Sequence, residues 1–178
     1  DAVRTVLEVI DTDFKYESVF KYLRCYMSDV CVEDIDVLEN YCLALGIRGY
    51  KNYSKPFTKT YKGVIENEAE EAERIRGLFV EPIFNLKDKL KDKTVKGVTT
   101  ALYEFIVEAG LKEKLYEYIE FFEQTGNNEL LTEYKQVYKK VMELFDKLVL
   151  LLGDEKISLT EYRKILDAGF EEIKVGII

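Results

Sequence analysis

Histidine and tryptophan are absent from this chain of 178 residues, and proline occurs only twice. Without histidine there can be no Ser-His or Cys-His nucleophile pair, and the commonest metal ligand and proton shuttle is missing. The three cysteines, Cys25, Cys31 and Cys42, are odd in number and form no C-x-x-C pair. We therefore expect free, buried thiols rather than a disulfide or a metal site.

Glycine-rich phosphate motifs and long apolar runs are absent as well. Neither G-x-x-x-x-G-K-[ST] nor G-x-G-x-x-G occurs, so we expect the chain to bind no nucleotide on its own. No run approaches the roughly 18 consecutive apolar residues of a membrane span, and Asp1 is not followed by a signal-type apolar block. We expect a cytoplasmic protein with no membrane partner, no catalytic residue, and no cofactor or metal of its own. The start at Asp1 and the apolar end at residues 175–178 suggest a part of something longer.

Hydrophobic spacing predicts an all-α fold, an irregular bundle of about eight helices in a single domain over residues 1–178. Hydrophobic residues make up 47% of the chain and charged residues 34%, a balance typical of a globular protein. Apolar residues recur at steps of three and four in residues 1–45, which predicts three short helices. The same spacing predicts long helices over residues 66–172, the clearest of them over residues 127–152.

Three sequence signals predict where helices begin and end. Pro82 lacks an amide hydrogen, so a kink or a restart is expected near Glu81. Ser158 and Glu161 form an S-x-x-E capping box, which predicts a last helix over residues 159–170. Residues 173–178 are rich in β-branched side chains, and we expect a short strand-like tail that leads to the next domain.

Two further clusters contain residue types found in functional sites, but we interpret both as structural. The first is the acidic stretch that starts at Glu66, which we interpret as the solvated face of a helix. The second is an aromatic group that we interpret as a packing seam between helices. Its members are Tyr116, Tyr118, Phe121 and Phe122.

Positive charge is concentrated in one place, the basic segment, which we define as residues 46–65. No acidic residue occurs from Asn40 through Ile65, although the segment holds five cations among several aromatic residues. Since the chain has 26 basic and 34 acidic residues, only 21 basic residues remain elsewhere, and the rest of the chain carries a formal charge of −13. The candidate nucleic-acid contacts are Arg48, Tyr50, Lys51, Tyr53, Lys55, Lys59 and Lys62.

Two interpretations of the basic segment remain open. Cations can neutralise phosphates, and flat rings such as Tyr50 or Tyr53 can stack on bases, so the segment has the ingredients of a single-strand or backbone contact. Alternatively, it is a surface loop whose tyrosines pack on the helix beneath and whose lysines balance the charge of the acidic helix that follows.

Several segments together resemble one family, the B subunit of the bacterial AddAB (also called RexAB) ATP-dependent helicase-deoxyribonuclease. They are YESVFKYLRCYMSD (residues 16–29), DIDVLENYCLALGIRGYK (34–51), VEPIFNLKDKLK (80–91), ALYEFIVEAGL (101–111) and LLGDEKISLTEYRKILDAGFEEIKVGII (151–178). Order and spacing agree throughout, and the resemblance covers essentially the whole chain. LENYCLALGIRG and GDEKISLTEYRKILDAG are its most specific parts.

The resemblance implies a place in a machine that processes broken DNA ends for homologous recombination. By position the chain is similar to the helical insertion in the second helicase-like domain of the B subunit. Such a module would shape the DNA channel and support DNA binding, with an A-type motor-nuclease subunit as partner. The alternative is a structural spacer that docks on the motor subunit without touching DNA. In the parent complex the resemblance implies ATP, magnesium and an iron-sulfur cluster, but Cys25, Cys31 and Cys42 do not match the cluster pattern.

Overall fold

A computed structural model describes the backbone of residues 1–60 and 67–175 and the side chains of all but the last three of these residues. Within these ranges the chain forms ten helices and no strand. They are α1 (Ala2–Asp11), α2 (Tyr16–Leu23), α3 (Val32–Leu45), α4 (Tyr50–Tyr53), α5 (Glu68–Gly77), α6 (Val80–Lys89), α7 (Val95–Glu108), α8 (Leu111–Thr125), α9 (Asn128–Leu152) and α10 (Leu159–Val175). The predicted all-α fold is confirmed, although ten helices take the place of about eight. One of them is α4, a single turn inside the basic segment.

Contacts within the chain cluster in two units, Asp1–Asn85 and Leu86–Ile178, and each unit is described by itself. Whether the chain forms the single domain predicted from its sequence stays a prediction. No helix among the described residues is long and apolar enough to span a bilayer.

In the first unit, α1 packs on α2, α2 on α3, and α3 on α5. The inner face of α1 includes Val6, Leu7 and Val9, all fully buried, and each such side chain contributes about 1.5–3 kcal/mol by leaving water. The chain then turns through Asp13 and Phe14, whose φ angles are 52° and 55°. This left-handed conformation costs roughly 1–2 kcal/mol per residue. Complete burial of the Phe14 ring offsets that cost.

In the second unit, α9 contacts α7, α8 and α10. The hydroxyls of Thr99 on α7 and Tyr162 on α10 lie 2.8 Å apart in the core. Helix α10 approaches α9 closely at Gly169, where an added Cβ would lie 2.5 Å from Cδ1 of Leu144. The absence of a side chain at Gly169 therefore permits this packing.

Backbone hydrogen bonds join the start of α7 to the connection between α9 and α10. The amide of Lys96 donates to the carbonyl of Gly153 at 2.9 Å, and the amide of Ile157 donates to the carbonyl of Lys93 at 2.8 Å. Thr94 forms an isolated antiparallel bridge with Lys156. Because the first turn of α7 lies beside the last turn of α9, the two helices run antiparallel.

Of the three sequence signals, two predicted the structure correctly and one did not. A new helix, α6, begins at Val80, so that Pro82 lies in its first turn, where the missing amide hydrogen costs nothing. The capping box forms, since Glu161 accepts from the amide of Ser158 at 3.0 Å and the Ser158 hydroxyl accepts from the amide of Glu161 at 3.2 Å. The strand-like tail is wrong for residues 173–175, where α10 continues because β-branched residues have no strong backbone preference without a neighbouring strand. Residues 176–178 lie outside the described part.

Candidate nucleic-acid surface

The basic segment begins at two glycines with left-handed backbone. Gly46 has φ 64° and ends α3, and the next amide, of Ile47, donates to the carbonyl of Cys42 at 2.8 Å. Gly49 has φ 85°, and its amide donates to the carbonyl of Phe14 at 3.1 Å. A side chain at either position would be strained. The two glycines thus lead the segment from α3 to the turn after α1.

Tyr53 is a core residue and not a base-stacking platform, which corrects its assignment as a DNA contact. Its side chain is fully buried. The ring centroid lies 5.8 Å from those of Phe14 and Phe57 and 6.3 Å from that of Phe79. Its hydroxyl lies 3.7 Å from Sγ of Cys42, and burial raises the pKa of Tyr53 above its ordinary value. Tyr53 is the last residue of α4, and its ring faces the core. The aromatic residues of the segment therefore do not by themselves indicate a base-binding surface.

Tyr50 and Phe57 extend this aromatic core. Tyr50 is half-buried, with its ring 5.5 Å from that of Phe14 and edge-on to Phe84 at 5.1 Å. Phe57 is buried, 5.5 Å from the ring of Tyr41. The Tyr41 hydroxyl in turn donates to the carbonyl of Lys59 at 2.7 Å. Tyr50 and Tyr53 therefore pack on the helices beneath, as the surface-loop interpretation expected.

Two residues of α5, Glu73 and Arg76, clamp the backbone of the basic segment. The amide of Phe57 donates to Oε2 of Glu73 at 2.7 Å, and Nη1 of Arg76 donates to the carbonyl of Tyr53 at 2.9 Å. Glu73 and Arg76 also form an ion pair with each other at 2.5 Å. The guanidinium lies over the Phe57 ring, 5.7 Å from its centroid. We call this pair of residues the α5 clamp.

The clamp explains the electrostatics of Glu73. Hydrogen bonding from Arg76 lowers the pKa of this carboxyl below its ordinary value, against the opposing effect of burial, and the amide of Phe57 lowers it further. The interpretation of the acidic stretch as a solvated face is therefore wrong at Glu73. No local pattern signals this role, because Phe57, the partner of Glu73 in the basic segment, lies 16 residues earlier in the chain.

Four of the five cations of the basic segment lie within the described residues, and all four side chains are exposed. None of them forms an ion pair with another described residue; they are Arg48, Lys51, Lys55 and Lys59. Arg48 makes only the smallest contribution to the lowered pKa of Glu17, which a backbone hydrogen bond lowers most. Lys62 lies outside the described residues.

Two acids of α5, Glu71 and Glu73, are paired with arginines of the same helix and not with these lysines. Arg74 bonds to Glu71 at 2.7 Å and also to Asp34 on α3 at 2.7 Å, while Arg76 bonds to Glu73. The expectation that the lysines answer the acidic helix is therefore not met at Glu71 or Glu73. The positive charge of Arg48, Lys51, Lys55 and Lys59 is directed to solvent.

The aromatic seam of α8 and α9 has the predicted packing in part. Phe122 lies edge-on to Tyr134 of α9 at 5.0 Å, and Tyr118 lies 5.9 Å from Tyr134. Tyr116 and Phe121 are instead 54% and 57% exposed, so the seam involves only one side of α8.

The three cysteines differ in their exposure to solvent. Cys42 is buried, Cys25 is half-buried and Cys31 is exposed, so the prediction of buried thiols holds only for Cys42. Burial raises the pKa of the Cys42 thiol to about 11. Among the described residues, no three side chains of the His, Cys, Asp and Glu types are placed to hold a metal ion.

These features define an all-α protein with a cationic surface segment fixed to an aromatic core. No protein-family model matches the chain. Curated proteins named as the B subunit of an ATP-dependent helicase/deoxyribonuclease do match it over nearly its whole length. The protein from Lachnoclostridium phytofermentans is 35% identical over 181 residues, which cover 99% of this chain and 16% of that protein.

Two further relatives with the same name give the same result. The one from Clostridium botulinum (strain Loch Maree / Type A3) is 39% identical over 185 residues, and the one from Alkaliphilus metalliredigens is 34% identical over 193 residues. They are covered to 16% and 17% of their lengths. The chain is thus homologous to one segment of the B subunit of the ATP-dependent helicase/deoxyribonuclease, and the family resemblance is confirmed. The chain spans about one sixth of the length of these relatives.

Proposed function

We propose that the chain is a non-catalytic helical module of a helicase-nuclease subunit that processes DNA double-strand breaks for homologous recombination. In this proposal the module corresponds to the helical insertion of the second helicase-like domain, and the basic segment contacts DNA phosphates in the channel of the complex. The names of the relatives support the DNA context. The observation that carries the proposal is a set of four exposed cations that form no ion pair with a described residue. They lie on a segment whose backbone the α5 clamp holds at Tyr53 and Phe57.

Phosphate contact fits this surface better than base reading. Arg and Lys neutralise phosphates regardless of sequence, whereas base stacking requires exposed rings. Tyr53 is buried and Tyr50 is half-buried against Phe14 and Phe84. The part of the segment whose backbone the α5 clamp holds, at Tyr53 and Phe57, also loses less conformational entropy on binding. We therefore propose a contact to the DNA backbone that is independent of sequence.

Chemistry that needs ATP, magnesium or an iron-sulfur cluster is proposed only for other parts of the parent complex. The A-type motor-nuclease subunit is the proposed partner. The cysteines of this chain would not hold a cluster, because Cys42 is buried beside Tyr53 while Cys31 is exposed.

The test compares two sets of Lys/Arg→Gln substitutions in the full subunit, assembled with its partner. The test set changes Arg48, Lys51, Lys55 and Lys59. The control set removes the same charge at exposed lysines that form ion pairs in the second unit, Lys91, Lys135, Lys139 and Lys147. DNA affinity is measured by fluorescence anisotropy from low to high salt with single-stranded and duplex ends.

Each lost phosphate contact reduces the slope of log K against log salt by about 0.7 for single strands and about 0.9 for duplex. We expect the test set to reduce the slope by up to about 2.8 for single strands and about 3.6 for duplex, and the control set to leave it unchanged. Equal slopes for both sets would contradict the DNA contact.

The structural spacer remains a second candidate, favoured by apolar side chains exposed on the second unit. Leu150 and Leu151 are 84% and 65% exposed, and Val107 is 59% exposed. If the spacer role is right, substitutions there reduce copurification with the partner subunit, and the test set of cations leaves DNA binding intact.

A further inference from the structure

A groove of about 520 Å³ lies between α7 and α9, within the second unit. Its residues include Thr100 and Tyr103 of α7 and Met142, Asp146, Val149 and Leu150 of α9. The residues that line the groove extend over one turn of α7, residues 99–103, and over two turns of α9, residues 142–150. Its walls are largely apolar, and Asp146 is the charged residue among those that line it.

The rim of the groove exposes apolar surface that the fold itself does not use. Leu150 is 84% exposed and Tyr103 is 46% exposed. Val107 follows Tyr103 by one helical turn and is 59% exposed. Apolar side chains scattered singly on a surface need no explanation, but a row beside an apolar groove is typical of an interaction site. Two helices that border an apolar groove present the geometry that accepts an amphipathic helix.

The groove carries one negative charge, the carboxylate of Asp146, which no described residue neutralises by an ion pair. Asp146 is exposed and forms no ion pair with a described residue, whereas its neighbours Glu143 and Lys147 pair with Lys139 and Glu172. A positive side chain on an incoming segment would therefore find a free carboxylate beside the apolar walls. A second copy of this chain would bring the two Asp146 carboxylates and two net charges of −8 together, which disfavours self-association.

We propose that this groove binds an amphipathic helix of a partner polypeptide, which inserts large apolar side chains between α7 and α9 and pairs a Lys or Arg with Asp146. A compact ligand would suit an enclosed cavity better than a groove whose rim leaves Leu150 almost fully in water. The proposal stands without the DNA contact, because none of these residues belongs to the basic segment.

The test uses two synthetic alanine-based helices of about 16 residues as probes, labelled with fluorescein. Both carry leucines at helical spacing i, i+4, i+7, and they differ in one residue beside the leucines, Arg in one peptide and Glu in the other. Binding to the 178-residue chain is measured by anisotropy, and the contacted residues are mapped by shifts of backbone amide NMR signals. No DNA is present, so the outcome is independent of the proposed phosphate contact.

We expect shifts confined to α7 and α9, with the Arg peptide binding about two- to fivefold more tightly than the Glu peptide, as an exposed ion pair allows. Asp146→Lys should reverse that preference, and Leu150→Ser should weaken both peptides about tenfold. Leu43→Ser is the matched control, since Leu43 is 58% exposed on α3 in the first unit; it should change neither affinity. Both leucines are exposed, so neither substitution disturbs the core.

Three outcomes overturn the proposal. The first is that neither peptide binds, or that the shifts fall outside α7 and α9. The second is an unchanged preference in Asp146→Lys. The third is a groove occupied only by a second copy, seen as a dimer in sedimentation that Leu150→Ser abolishes, or only by an apolar dye that neither peptide displaces.

Discussion

Replacing Glu73 tests whether the α5 clamp holds the basic segment in place. Glu73→Ala removes the acceptor for the amide of Phe57 and the partner of Arg76, whose side chain is only 13% exposed. A hydrogen bond to a charged group contributes about 1.5–3 kcal/mol, and Glu73 is itself 33% exposed, so solvent reduces that value. We expect Glu73→Ala to lower the free energy of unfolding by about 2 kcal/mol. Glu73→Gln should cost about 1 kcal/mol, because its amide oxygen still accepts from Phe57.

The same helix supplies a matched control. Glu71 also pairs with an arginine three residues later, Arg74, but its side chain is 54% exposed. Glu71 accepts from no backbone amide within the described part of the basic segment, residues 46–60. An exposed pair of this kind contributes about 0.5 kcal/mol or less. Glu71→Ala should therefore be nearly neutral, whereas Glu73→Ala is not.

Urea unfolding followed by far-UV circular dichroism measures both variants, since the chain has no tryptophan for fluorescence. Exchange of the Phe57 amide with deuterium gives a local reading and should accelerate in Glu73→Ala alone. Because the folded-state pKa of Glu73 is lowered, its stabilisation is present above the unfolded pKa and is lost as the pH falls through the folded pKa. The difference between wild type and Glu73→Gln should thus disappear in acid. Equal costs for the Glu71 and Glu73 variants would refute the clamp.

Two smaller predictions concern the buried core. Thr99 donates to the carbonyl of Val95 at 2.7 Å and can still do so in Tyr162→Phe, so that substitution should lower the free energy of unfolding by about 1 kcal/mol. Thr99→Val leaves the buried Tyr162 hydroxyl without its partner and should lower the free energy of unfolding by about 1–3 kcal/mol. Urea unfolding of the two variants would contradict this order if Tyr162→Phe cost more. A thiol reagent at neutral pH should modify Cys31 quickly and Cys42 only on unfolding, because Cys42 is buried and its pKa is about 11. Mass spectrometry of tryptic peptides distinguishes them, and early modification of Cys42 would contradict the burial.

The helices could be predicted because their signals are local. Helices α7, α8 and α9 each show apolar residues at steps of three and four, and the positive-φ glycines Gly46 and Gly126 end α3 and α8. The capping box at Ser158 needs only residues three apart. Such patterns depend on residues close together in the chain, so the helices that they predict form in the folded protein.

The candidate site was less predictable, because exposure depends on contacts distant in the chain. Sequence composition placed Tyr53 beside the lysines as a stacking residue, yet Phe14 and Phe79 surround its ring. Glu73 carries no local mark that separates it from Glu71. The exposed groove between α7 and α9 was also missed, since the periodicity of a helix shows which residues are apolar but not which of them find a partner.

In the basic segment, the residues packed in the core and the exposed cations are different residues. Folding stability and surface charge can therefore change independently. Tyr53 and Phe57 hold the segment in the core, while Lys51, Lys55 and Lys59 alternate with them and remain in water. Homologous proteins could therefore gain or lose charge at the lysine positions without any loss of folding stability. Natural variation in this segment should accordingly be broad at the cations and narrow at the two rings, so the strength of an electrostatic contact could evolve without a change in the scaffold.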